Sequence, residues 1–199
     1  MSDFLHLTRR RFLQVMASAT GALIVGVRSA RSQEVDGTPL PLLGDEVTAL
    51  DPYVRIEPDG RTIIGARDPD CGEGTRTSLP RIIAEEMDAD WSRVEVLQLG
   101  PELVRRDGVA HWRYGHQRSG DGSSIPAAWQ DLRRVGALAR WLLLQAAAQR
   151  SGIGAARLTC RDGAVHAPDG RSYGFGELVA AALKLAPPQS PPPLKDPAQ

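Results

Sequence analysis

The sequence predicts an α+β fold: a small mixed sheet with hairpins, packed against two main helices at about residues 76–88 and 125–150, plus a short C-terminal helix. Three observations carry this. Tyr53-Val54-Arg55-Ile56-Glu57 and Arg61-Thr62-Ile63-Ile64-Gly65 alternate on either side of Pro58-Asp59-Gly60, which is a hairpin pattern. Leu79, Ile82, Ile83, Glu86 and Met87 then fall at helical spacing. Trp129, Leu132, Gly136, Ala139, Leu143 and Ala146 do the same over a longer run.

Composition bounds the function. The 199 residues suit one ordinary domain plus tails. Lys+Arg and Asp+Glu both number 24, so nothing points to a nucleic-acid surface or a polyanion partner. Apolar residues make up 42% and aromatics only 5%, which predicts an aliphatic, alanine-rich core. Cys71 and Cys160 allow at most one disulfide. Two free, buried cysteines is the favoured reading.

At the start, Thr8-Arg9-Arg10-Arg11-Phe12-Leu13-Gln14 fits a twin-arginine export motif, followed by the apolar run Val15 to Val27 and a small-residue cleavage site at Ala30-Arg31-Ser32. The run is too short and too rich in Gly and Ala for a stable membrane span. The competing reading is an amphipathic N-terminal helix that happens to carry three arginines. The expected organisation is a twin-arginine signal peptide at 1–32, a linker at 33–50, a folded domain at 51–186 and a proline-rich tail at 187–199. The expected location is the periplasm, with no membrane span once the signal is cleaved.

After the hairpin comes Asp70-Cys71-Gly72-Glu73-Gly74-Thr75, with Thr75 or Thr77 as the N-cap of the first helix. Gly72 and Gly74 permit close backbone approach to a ligand, and Glu73 stands at the rim. The helix start behind them favours an anion. The same spacing also makes a tight strand-to-helix turn with no ligand. A third strand follows at Arg93 to Leu99. Pro101 to Gly122 reads as a long polar loop holding His111 and His116. No third ligand stands at sensible spacing, so no metal site is expected.

Gly120-Asp121-Gly122-Ser123-Ser124 opens the long helix, with Ser124 as N-cap and Pro126 in the first turn. By geometry this is either a phosphate site or a plain capped helix. Arg133, Arg134, Arg140 and Gln145 suit exposed positions. Short strands at Leu158–Arg161, Ala164–His166 and Arg171–Tyr173 form a meander, and Gly176–Leu185 is the short helix. Ser123-Ser124 lacks a paired base, and no Gly-x-Ser-x-Gly elbow exists, which argues against a hydrolase.

The run Asp70 to Val96 resembles the Met-Gly-Gln-Gly segment of molybdopterin-binding large subunits, in the isoquinoline 1-oxidoreductase and aldehyde dehydrogenase branch of the xanthine dehydrogenase family. Trp129, Leu132, Arg133, Arg134 and Gly136 resemble that family's second cofactor helix, and Leu194-Lys195-Asp196-Pro197 its interdomain bridge. The resemblance implies a first portion of a large subunit, with 51–186 a molybdenum-cofactor-binding-like domain. It implies part of a molybdopterin cytosine dinucleotide site at Gly72, Glu73, Gly74, Gly120, Ser123 and Ser124. The implied reaction is oxidation of an aldehyde or N-heterocycle. The implied partners are the rest of the large subunit, as a separate chain, and an iron–sulfur small subunit. No catalytic residue is assigned, because the family's acid–base glutamate lies in a later portion, and activity alone is not expected. Glu73 stands where the family has Gln, Cys71 where it has Met, and Asp121 where it has Gly. An amide can donate to an oxo or phosphate oxygen, whereas an ionised carboxylate only accepts. The alternative is therefore a non-catalytic exported remnant or protein-interaction module that binds no cofactor.

Overall fold

The computed structural model describes residues 14–17, 21–26, 52–101, 103–106, 109–112, 114, 117–186 and 188–196. The three arginines of the N-terminal motif, the linker at 33–50, His116 and the end of the tail lie outside them.

The main sheet has five strands in sequence order: β1 (Gln14–Ala17), β2 (Leu23–Gly26), β3 (Pro52–Ile56), β4 (Thr62–Ala66) and β5 (Val94–Gln98). The predicted hairpin is β3–β4, antiparallel, with Val54 opposite Ile64 and Ile56 opposite Thr62. Its Pro58-Asp59-Gly60 turn closes as Gly60 N donates to Glu57 O. β5 runs parallel to β4, so the sheet is mixed as expected. A parallel neighbour needs a crossover, and α1 (Thr75–Met87) supplies it. Residues 15–17 and 23–26 of the apolar run read from the sequence as part of a leader lie in β1 and β2. β2 pairs antiparallel with both β1 and β3.

The predicted polar loop at 101–122 also contains structure: β6 (Leu103–Arg106) and β7 (Val109–Trp112) form a two-stranded antiparallel sheet. The meander is β8 (Thr159–Arg161), β9 (Ala164–His166) and β10 (Ser172–Gly174), in the order β10-β9-β8. It leads into α3 (Phe175–Ala182).

The centre of the molecule is α2 (Ser124–Ser151), packed on α1, α3 and the sheet. Leu132, Val135, Leu138, Ala139, Leu142, Leu143 and Ala146 of α2 share one core with Leu79, Ile83 and Met87 of α1 and with Val54, Ile56 and Ile64 of the sheet. The core is aliphatic, as the composition requires. Two expectations for α2 fail. Trp129, placed on the apolar face, is 43% exposed. Arg133 and Arg140, placed outside, are largely buried.

The reason is Glu86. It falls on the inward face of α1 and is only 2% exposed. A carboxylate cannot be buried alone. Arg133 Nε reaches it at 2.7 Å and Arg140 Nη1 at 3.2 Å, and the backbone N–H of Lys195 donates to it at 2.6 Å. The same two arginines bind the carbonyls of Lys195 and Pro193. The proline-rich tail is thus strapped over the junction of α1 and α2.

Gly136 makes this approach possible. A Cβ there would lie 2.7 Å from both Glu86 Cβ and the backbone carbonyl of Ile83. In an exposed helix Gly→Ala gains about 1 kcal/mol. Here the backbone of α1 has to move, so G136A is expected to destabilise by about 1–3 kcal/mol. Urea denaturation of the two proteins measures the sign directly.

Candidate functional site

α1 and α2 run in the same direction. Thr75 and Ser124 open them; Glu86, eleven residues on, meets Gly136, twelve residues on, and Glu73 just ahead of α1 meets Ser119 just ahead of α2. Their N-termini therefore lie together, just past the carboxyl ends of the parallel pair β4 and β5. The two predicted turns, 70–74 and 118–123, occupy this corner and touch. The Ser119 hydroxyl donates to Glu73 Oε1, and Cys71 Sγ lies 3.2 Å from Ser119 Oγ. Gln117 ties the second turn to the sheet through the carbonyls of Arg67, at 2.6 Å, and Leu99, at 3.2 Å.

All six predicted site residues are at this corner, but neither predicted cap holds. Gly74, not Thr75 or Thr77, is the N-cap of α1, in the left-handed region at φ 85°. Ser123, not Ser124, caps α2. Ser124 is buried, and its hydroxyl turns inward to the carbonyl of Arg118 at 3.2 Å. Cys71 is a free thiol, but exposed rather than buried as expected. Cys160 is free and partly buried, and burial pushes its thiol up to about 12.

Five backbone donors of the two turns, the N–H groups of Cys71, Gly72, Gly74, Arg76 and Ser123, are already engaged by the chain's own carboxylates. Asp70 Oδ1 accepts from Gly72 N at 2.8 Å and Gly74 N at 3.3 Å, and its Oδ2 from Arg76 N at 3.0 Å. Glu73 Oε2 accepts from Cys71 N at 2.7 Å. Asp121 Oδ1 accepts from Ser123 N at 3.1 Å, while Arg118 bridges Asp121 Oδ2 at 2.8 Å and Ser123 Oγ at 3.0 Å. Asp121 adopts φ 49°, a left-handed conformation that Asp tolerates and that Gly120 and Gly122 share on either side.

These bonds hold the carboxylates ionised. The Ser119 hydroxyl first, then backbone N–H groups, lower Glu73 from 4.5 to about 2. The Ser123 hydroxyl and N–H and the nearby Arg118 lower Asp121, and the N–H groups of Gly72 and Arg76 lower Asp70. At neutral pH the corner therefore holds three ionised carboxylates beside two helix N-termini, with Asp121 paired to Arg118. An anionic dinucleotide needs those N–H groups free and no ionised carboxylate in the way. As they stand, these residues do not fit a molybdopterin cytosine dinucleotide. Among the described residues no group of three His, Cys, Asp or Glu side chains could hold a metal ion.

The sequence reading missed Ser119 and Asp70. Asp70 carried a legible signal: an acidic residue ahead of a Gly-X-Gly turn and a helix start is placed to cap N–H groups. Ser119 carried none, since its role depends on the packing of α2 against α1. A shallow depression lined by Asp59, Arg61, Ser92, Arg93, Val94 and Glu95 lies at the opposite, amino end of β4 and β5. Its charges pair locally, Arg61 with Glu95 at 3.3 Å and Arg93 with the carbonyl of Asp59.

No family model matches the chain. It is 34% identical over 183 residues to the beta subunit of the isoquinoline 1-oxidoreductase of Brevundimonas diminuta, covering 90% of this chain. It is 27% identical to a membrane-bound, pyrroloquinoline-quinone-named aldehyde dehydrogenase of Gluconacetobacter polyoxogenes, over 87% of this chain. It is 31% identical to a nicotinate dehydrogenase subunit of Pseudomonas putida, over 83%. The chain is a homologue of part of these oxidoreductases. It spans 22%, 21% and 13% of their respective lengths. Among solved structures, quinoline 2-oxidoreductase from Pseudomonas putida 86 is similar at a TM-score of 0.48 and 19% identity, covering 69% of this chain and 17% of that one.

Because the folded value of Glu73 lies below its unfolded one, its contribution to stability is complete above pH about 4.5 and is lost as pH falls towards 2. In Ser119→Ala the largest cause of the depression is gone. An NMR pH titration is expected to show the Glu73 midpoint near 2 in the parent and clearly higher in the variant.

Proposed function

We propose that this chain supplies one segment of the large subunit of a molybdenum hydroxylase-type oxidoreductase, acting with further polypeptide that carries the rest of that subunit. The observation that carries this is the pairing of the two predicted turns at adjoining helix starts, on a chain homologous to such enzymes over most of its length. Its own role is that of a non-catalytic module for protein association. Asp70, Glu73 and Asp121 engage five of the N–H groups that would serve an anion and place carboxylates beside the rest, so no chemical step is assigned to its residues. The assembly's reaction would be oxidation of an aldehyde or an N-heterocycle, with electrons passing to an iron–sulfur small subunit. The Arg9-Arg10-Arg11 motif supports export to the periplasm by the twin-arginine route. No helix among the described residues is long and apolar enough to cross a membrane.

A second reading has its own observation. The turns meet and share Ser119, which favours Gly72, Glu73, Gly74, Gly120, Ser123 and Ser124 as one side of a shared molybdopterin cytosine dinucleotide site. That reading requires Glu73 and Asp121 to release their present donors when the remaining polypeptide docks.

Tagged chain purified from its native host is expected to carry a larger oxidoreductase polypeptide in fixed ratio. The same chain purified alone is expected to hold no stoichiometric molybdenum or pterin by metal analysis and fluorescence. A chain that runs alone from that host, at 21.5 kDa plus its tag, contradicts the subunit reading. Stoichiometric pterin on the isolated chain contradicts the non-binding role and favours the second reading.

A further inference from the structure

The N-terminal apolar run carries two incompatible demands. As a leader, Val15 to Val27 is handed to an export machinery and then cut away near Ala30-Arg31-Ser32. In the folded protein the same run supplies β1 and β2. β2 is an interior strand, with β1 on one side and β3 on the other. Ala22, Leu23 and Val25 are 0% exposed. Leu23 and Val25 belong to the same core as Val54, Ile56, Leu142 and Leu178, and both α2 and α3 pack against β2.

Loss of residues 1–32 would remove both strands. β3 would become an edge, with unpaired N–H and C=O groups, and Val54 and Ile56 would lose their cover. Exposed apolar edges of that kind drive aggregation. Residues 27–51 separate β2 from β3, far more than the two to five of an ordinary hairpin loop. β2 is held to β3 by strand pairing and by burial of Leu23 and Val25, contacts that a cut within the link leaves in place.

We propose that β1 and β2, drawn from the apolar run of the leader, are a permanent part of the folded protein: after export they stay paired on β3, whether or not the chain is cut near Ala30. This inference does not rest on the cofactor or subunit reading.

The full chain with a C-terminal tag, exported in a twin-arginine-competent host, is purified without denaturant and weighed intact. The expected result is either one chain of 21.5 kDa plus the tag or a cut chain with its N-terminal fragment in equal amount. A folded chain beginning at Gln33 alone, with a Tm within about 2 °C of the uncut protein, overturns the proposal. Hydrogen exchange on unexported full chain tests it separately. Amides of residues 23–26 are expected to be protected on the scale of residues 54–64, and exchange complete within seconds overturns it. Leu23→Arg is expected to lower the Tm of the full chain by about 10 °C or more, or to prevent folding. An unchanged Tm counts against a buried β2.

Discussion

Everything at the candidate site depends on one buried ionic contact, Glu86 of α1 between Arg133 and Arg140 of α2. Gly136 lets the helices close to the distance at which that contact forms. The charges must pair there, because Glu86 is all but fully buried and its two arginines are mostly so. The contact therefore fixes the register of α1 along α2, not merely their proximity. With the register fixed, the two N-termini fall side by side. Two positive helix ends in one corner repel unless negative charge lies between them. Neither helix carries an acidic residue in its first turn. Asp70, Glu73 and Asp121 supply that charge from the turns before the helices. The chain thus neutralises internally a corner whose geometry otherwise favours an external anion.

The N-terminal run shows how one composition meets two physical demands. Short, small and apolar residues suit a leader, and they also suit an interior strand covered on one face by α2 and α3. The strap at the other end uses different physics. Pro191-Pro192-Pro193 leaves few backbone donors, so it is the carbonyls of Pro193 and Lys195 that bind the arginines, with Lys195 Nζ at 2.6 Å from Asp88 Oδ1. β2 is tied to the helix layer by apolar burial and residues 193–195 to the same layer by charge.

Much of this was legible in the sequence. The hairpin, the crossover helix, the long helix, the meander and the identity of both turns follow from period and turn residues, because those signals are local. What failed was non-local. Arg133 and Arg140 looked like a solvated face until Glu86 was placed opposite them. Trp129 looked like core, but it sits a turn from the start of α2, where its ring meets the Arg133 guanidinium at 5.8 Å instead of the interior. β6 and β7 were hidden in a polar, histidine-bearing stretch whose strands pair only with each other. The caps fall ahead of the residues expected, Gly74 before Thr75 or Thr77 and Ser123 before Ser124, since Gly74 and Ser123 already terminate the preceding turns. The departure of Glu73 and Asp121 towards negative charge was visible. That Glu73 would also accept from the Ser119 hydroxyl was not, because that bond requires the two turns to meet.

The meeting of the turns is the claim on which the account stands, and a cross-link tests it most directly. In Ser119→Cys the new sulfur replaces a hydroxyl 3.2 Å from Cys71 Sγ, within reach of a disulfide after small side-chain rotation. Mild oxidation of the folded variant is expected to join the introduced thiol to Cys71, as identified by peptide mass mapping, with Cys160 left free and far-UV circular dichroism unchanged. A folded variant in which Cys71 and the introduced thiol both remain open to alkylation after oxidation would place the turns apart and contradict the account.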